Sequence, residues 1–234
     1  YLHQGYRWYA PEYKRPFALD SPGRVSGNEL YQIYNYDLAS GKHVMLTDGE
    51  SKHGGVVWSN KGDRFAFFST RRNKKDYDLY ISSPSNTEHY NCIQENEGFW
   101  FVSDWSADDS QLLVKNYVSA TESYLYLLDL SLTGDNRLTR IVPAQGSTQK
   151  VSVGPSRFDR RAGSKGVFFS SDAEGEFVKL YYMDLESGKT TLLTGDIEWN
   201  VESMEVSGDG KYVAVVLNED GINTLYVQTL GTET

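Results

Sequence analysis

The sequence predicts an all-β fold, a β-propeller of four-stranded antiparallel blades, and three observations predict it. An aliphatic-Tyr pair recurs at Ile33-Tyr34, Leu79-Tyr80, Leu125-Tyr126, Leu180-Tyr181 and Leu225-Tyr226, at intervals of 46, 46, 55 and 45 residues. Each pair sits among short β-branched or aromatic runs bounded by turn residues, and residues 56–82, VVWSNKGDRFAFFSTRRNKKDYDLYIS, are the clearest copy of that plan. No window places apolar residues at helical spacing better than simple alternation describes them. A period in the forties with four short strands per unit reads as a blade, which cannot bury both of its faces alone and must stack on neighbours.

The module explains its own turns. The first strand of each copy ends at Trp58, Trp105, Phe158 or Val206, a polar turn follows, and the second strand begins near Phe65, Leu112, Val167 or Val213. Asp-Leu follows the Tyr in three copies, at Asp37-Leu38, Asp129-Leu130 and Asp184-Leu185, and Ser-Gly-Lys follows two of these, starting at Ser40 and Ser187. Carboxylates in the first turn, Asp63, Asp108-Asp109 and Asp209, are expected to accept hydrogen bonds from turn amides.

In chain order, residues 1–16 match the repeat poorly and read as an incomplete strand or a linker, and residues 17–234 read as blades. Residues 17–20, 29–38 and 43–47 supply strands of a partly represented first blade. Further blades follow at 54–94, 99–142 and 150–194, and a last one begins near Asn200 and stops after its third strand. About four and a half to five blades are therefore expected. Closure into a five-bladed disc would need residues 1–9 as the missing strand of the last blade; in a piece of a seven- or eight-bladed ring the end faces would stay open.

Composition agrees with an all-β core. Of 234 residues, 39% are hydrophobic, and 17 Tyr, 10 Phe and 5 Trp supply the bulk that packs sheet on sheet. A net charge of −9 argues against a nucleic-acid partner, which needs clustered cations for phosphate. The longest apolar run, residues 213–217, is far too short to span a bilayer, so no membrane span is expected. The single cysteine, Cys92, reads as a core residue.

Catalytic and metal signatures are not found. Histidines 3, 43, 53 and 89 lack ligand spacing for zinc, and no calcium loop or phosphate-cradling glycine loop is present, so no cofactor is expected. A nucleophile elbow needs Gly-x-Ser-x-Gly, and the nearest string, at residues 154–158, lacks the second glycine. Glu202 and Glu205 are the candidate carboxylate pair for glycoside hydrolysis, but one blade supplies both and no acidic partner occupies the matching place in the others. The basic cluster Arg71, Arg72, Lys74 and Lys75 is followed at once by Asp76 and Asp78, as expected for a self-neutralising loop.

Residues 27–34 (GNELYQIY), 46–73 (LTDGESKHGGVVWSNKGDRFAFFSTRRN), 100–114 (WFVSDWSADDSQLLV) and 122–130 (ESYLYLLDL), continued by SSDAEGEF at 170–177 and LNEDG at 217–221, together resemble the propeller of prolyl-oligopeptidase-family serine peptidases. Single blades of this kind also resemble those of the periplasmic TolB propeller. The resemblance implies a non-catalytic domain that limits access of peptide substrates to an α/β-hydrolase domain outside this chain, in a parent of dipeptidyl or acylaminoacyl peptidase type. It also implies part of a larger ring and an exported location. Under it, Arg71 and Arg72 are the expected carboxylate contacts and Trp100 an exposed apolar wall for substrate. Two readings of other classes stand beside it: a free-standing TolB-like propeller that binds a protein or peptide, and a small propeller enzyme with its own site.

Overall fold

The structure, a computed structural model, describes residues 17–19, 30–36, 40–84 and 86–231. Eighteen strands in these residues form five antiparallel sheets. Blade 1 is β1 (Phe17–Leu19), β2 (Tyr34–Tyr36) and β3 (His43–Met45). Blade 2 is β4 (His53–Trp58), β5 (Phe65–Ser69), β6 (Asp78–Ser83) and β7 (Asn86–Gln94). Blade 3 is β8 (Phe99–Trp105), β9 (Gln111–Ser119), β10 (Glu122–Asp129) and β11 (Leu138–Val142). Blade 4 is β12 (Val153–Phe158), β13 (Gly166–Ser171), β14 (Lys179–Asp184) and β15 (Thr190–Leu192). Blade 5 is β16 (Asn200–Val206), β17 (Tyr212–Glu219) and β18 (Ile222–Thr229). Each sheet is a simple meander in chain order. The expected closing strand at residues 1–9 lies outside the described residues.

Register reproduces the repeat. Trp58 pairs with Phe65, Trp105 with Leu112, Phe158 with Val167 and Val206 with Val213, so each polar turn closes a hairpin on the same pair of positions. The long interval of 55 residues falls where a 3-10 turn (Gly134–Arg137) is inserted between β10 and β11, ahead of the link at residues 143–152.

Strand alternation then divides the apolar residues between two neighbours. On β5, Phe65 and Phe67 pack toward Ile33 and Leu46 of blade 1, while Ala66 and Phe68 pack toward Trp100, Val102 and Leu112 of blade 3. On β9, Leu112 and Val114 turn back to blade 2 and Leu113 turns forward to Val153 and Phe169. On β13, Val167 and Phe169 face blade 3 and Phe168 faces Val201, Met204 and Val213 of blade 5. A second strand buried on both faces needs a continuous apolar run, which is why FAFF, LLV and VFF stand there. In blades 1 to 4 the aliphatic member of the repeated pair faces the next blade, and Ile33, Leu79, Leu125 and Leu180 are at most 1% exposed. Four interblade cores result, and among the described residues none joins blade 5 to blade 1.

Cys92 corrects one expectation: it is exposed, because it lies on β7, the rim strand of blade 2.

Candidate functional site

The innermost strands β4, β8, β12 and β16 line the axis, and each carries a register shift, at residues 54/57, 102/104, 153/156 and 201/203. A bulge bends a strand and re-aims its side chains, so the repeated irregularity shapes the axial wall. In blade 2 it coincides with Gly54 and Gly55. A Cβ on either would lie 2.8 or 2.9 Å from the ring of Phe68, and Gly55 also has φ +63°, so this close packing requires glycine.

Below the bulges the wall is polar and crosses blades. Arg157 on β12 donates to Glu205 on β16 through Nε (2.9 Å) and Nη2 (2.5 Å), and through Nη1 to the Ser156 carbonyl (2.9 Å). Burial opposes the charge on Arg157, but Glu205 outweighs it and raises the guanidinium further above its ordinary value. Nearby, Asp104 on β8 accepts the Phe158 amide (2.9 Å) and pairs with Arg160 (2.8 Å), while Arg160 reaches Asn60 of blade 2 with its other nitrogen. Desolvation raises the Asp104 carboxyl in spite of that cation. Asp109 completes the chain of contacts by accepting from the amides of Asn60 (2.7 Å) and Lys61 (3.1 Å). It holds φ +61° where the equivalent turns of blades 2 and 5 use Gly62 and Gly210. Blades 2 to 5 are thus tied around the axis by charge-assisted bonds.

Other turn carboxylates act locally, as expected. Asp108 accepts from Ser106, the Ser110 amide and the Ser110 hydroxyl, and Asp209 from Ser207 and the Lys211 amide. These bonds hold both carboxyls down to about 2. A cavity of about 610 Å³ opens between blades 3 and 4 on the turn side, floored by Leu127, Phe158 and Leu185, and the Lys165–Glu186 pair (2.5 Å) at its edge leaves the two charges matched.

The three residues expected to contact substrate lie elsewhere. Arg72 makes a bidentate pair with the buried Asp78 (2.7 and 2.9 Å) and bonds the Asn96 carbonyl, which ties the 70–77 loop to the start of β6. Arg71 lies over the rings of Tyr90 (4.2 Å) and Tyr80 (5.5 Å), with Asp48 at 3.7 Å. Trp100 is corrected from exposed wall to core: it is 9% exposed, donates to the Glu97 carbonyl (2.8 Å) and packs on Tyr126. On β8 Trp100 and Val102 enter the core between blades 2 and 3, and the exposed aromatic is the neighbour Phe99. Sequence reasoning chose the wrong aromatic at that strand and passed over Arg157 and Asp104, whose partners, Glu205 and Arg160, lie in other blades. Glu205, considered for glycoside chemistry, is committed to Arg157.

Residues 26–224 match the family model described as dipeptidyl peptidase IV (DPP IV) N-terminal region. No curated protein matches the chain. Among solved structures it is similar to TolB from Acinetobacter baumannii, with TM-score 0.64 and 18% identity over 85% of this chain and 46% of that one. It is also similar to prolyl oligopeptidase B from Galerina marginata (TM-score 0.61, 10% identity, 85% and 30% of the two chains) and to oligopeptidase B from Leishmania major (0.57, 15%, 88% and 28%). At these identities the likeness is one of fold. The chain spans about half the length of the Acinetobacter TolB chain and less than a third of either peptidase.

Proposed function

Because the chain belongs to the family of dipeptidyl peptidase IV N-terminal regions, we propose that it is the non-catalytic propeller of a prolyl-oligopeptidase-like serine peptidase. In this reading it controls the access of peptide substrates to an α/β-hydrolase domain of the same parent protein. The observation that carries the proposal is the family match across residues 26–224, combined with an axial wall whose polar groups, Arg157 and Glu205, bridge adjacent blades rather than form a reaction centre. Such a wall sets the width of an opening and leaves bond cleavage to another domain. An exported location is part of the same proposal.

The test uses the parent protein with peptides of increasing length. Removing the Arg157–Glu205 bridge by the double substitution Arg157→Ala, Glu205→Ala is expected to raise kcat/KM for long peptides and leave dipeptide substrates unchanged. An equal effect at every length would reject gating. Of the basic pair, Arg71 is the one proposed to meet a substrate carboxylate, since Arg72 is held by Asp78. Arg71→Glu should then lower kcat/KM for acidic substrates alone, and an unchanged ratio to neutral ones removes that contact.

A second reading, a free-standing TolB-like binding module, is favoured by the similarity to TolB over 85% of this chain. The two separate on whether the parent protein carries a serine-reactive hydrolase: labelling by a fluorophosphonate is expected for the peptidase and absent for the binding module.

A further inference from the structure

At the end of the ring where the blades are linked, opposite the polar turns, a groove of about 520 Å³ is lined by Tyr77, Glu97, Gly98, Phe99, Asn116 and Tyr117. Its wall is a run of aromatic rings in mutual contact. Tyr77 and Phe99 are 4.5 Å apart between centroids, Phe99 and Tyr117 6.2 Å, and both Tyr77 and Phe99 rest on Phe68 of the core below. Phe99 and Tyr117 are 36% and 42% exposed, where the pattern of the repeat buries aromatics between blades. The rings are therefore held from beneath and open from above.

The lining contains one formal charge, the carboxylate of Glu97. Among the described residues Glu97 has no ion pair, unlike Asp48, Asp78, Asp104, Glu122, Asp159, Glu186 and Glu205. The cation nearest in sequence, Lys115, points away: its amine donates to the Val153 and Gly154 carbonyls of blade 4 (2.7 and 3.3 Å). Asn116 adds a carboxamide that can both donate and accept, the two functions needed to bond a peptide group. Aromatic faces carry negative potential, and an unpaired carboxylate beside them selects a cation with an apolar stem.

We propose that this groove binds a lysine or arginine side chain of an extended peptide segment, with its methylene stem on Phe99 and Tyr117 and its charge at Glu97. The site lies apart from the Arg157–Glu205 bridge, so it stands or falls independently of gating by the axis. The fit is one of charge complementarity, since the chain as a whole carries −9 and the groove carries no cation that would oppose the ligand.

The experiment titrates the 234-residue chain with short labelled Ala/Gly peptides that differ only at one central residue, lysine, norleucine or glutamate, followed by fluorescence anisotropy at low salt. Lysine should bind about tenfold more tightly than norleucine, and glutamate should bind most weakly. Glu97→Gln should bring lysine down to the norleucine level without changing Tm, and Tyr117→Ala should weaken both. Equal binding of lysine and norleucine, a lysine preference that survives Glu97→Gln, or no binding of any peptide would overturn the proposal. Tetramethylammonium competing as well as the lysine peptide would also overturn it, by showing a site for small cations.

Discussion

At the scale of single residues, His53 shows how burial and a hydrogen bond combine into a pH response. Its side chain is fully buried, Nε2 lies 2.9 Å from Asp48, and Nδ1 has no partner among the described residues. Burial holds the imidazole below its ordinary value in spite of Asp48. For Asp48 burial works upward, but the hydrogen bonds from His53, the Glu50 amide and Ser51 prevail and keep the carboxyl well below the usual range. Both folded groups therefore bind fewer protons than their unfolded counterparts, so stability rises with pH. The His53 contribution is complete above about pH 6.5, the unfolded value, and is lost as pH falls from there; that of Asp48 is lost only below about pH 4. A plot of Tm against pH should slope downward from about pH 6.5 to pH 5, and His53→Gln should flatten it. An unaltered slope in the variant would place the response elsewhere.

Asp109 poses a residue-level contest with a decidable outcome. It pays for a left-handed backbone, φ +61°, at a position where the turns of two other blades use glycine. Its carboxylate accepts two backbone amides and the Asn60 side chain from blade 2. Replacing it by glycine relieves strain of about 1 kcal/mol but forfeits bonds to a charged acceptor worth about 1.5–3 kcal/mol each. Asp109→Gly is therefore expected to destabilise, with a lower urea midpoint at unchanged m-value.

At the scale of elements, the axial ends of the blades are joined by an ion pair that cannot be broken on one side without cost. Asp104 is buried, and Arg160 is its cation. Arg160→Met should destabilise the fold by about 3–5 kcal/mol, because the carboxylate stays behind uncompensated. The variant should lose less at low pH, where the raised Asp104 carboxyl takes up a proton, and equilibrium unfolding at two pH values checks this. The turn of blade 5 packs against the same segment. A Cβ on Gly210 would lie 2.5 Å from the backbone of Arg160 and Arg161, and φ is +70°, so Gly210→Ala should disrupt the contact between blades 4 and 5 more than Gly163→Ala disrupts an open turn.

At the scale of the whole molecule, the outward face of blade 5 decides behaviour in solution. Leu225 occupies the position that is at most 1% exposed in the other four blades, yet it is 63% exposed, beside exposed Val227 and Tyr212. A contiguous apolar sheet face favours association. The 234-residue chain is expected to self-associate in sedimentation velocity experiments, more strongly at high salt, and the pair Leu225→Glu, Val227→Lys should yield monomers with no loss of Tm. A wild-type chain that stays monomeric at high concentration would mean that this face is covered.

The sequence alone determined the repeat, the blade boundaries and the pairs that close the inner hairpins of blades 2 to 5, because alternation and turn chemistry are local and return in four successive blades. It also placed the carboxylates of Asp108 and Asp209 correctly, since their partners lie within a few residues, whereas Asp109 turned out to accept from Asn60 and Lys61 of the preceding blade. Only the tertiary structure decided which aromatic of the Phe99-Trp100 pair is exposed, because both neighbours of a blade are apolar and the pattern does not say which parity meets the surface. The pairing of Arg157 with Glu205 and of Arg160 with Asp104 was likewise out of reach, since those partners are 48 and 56 residues apart and meet only when separate blades stack around the axis.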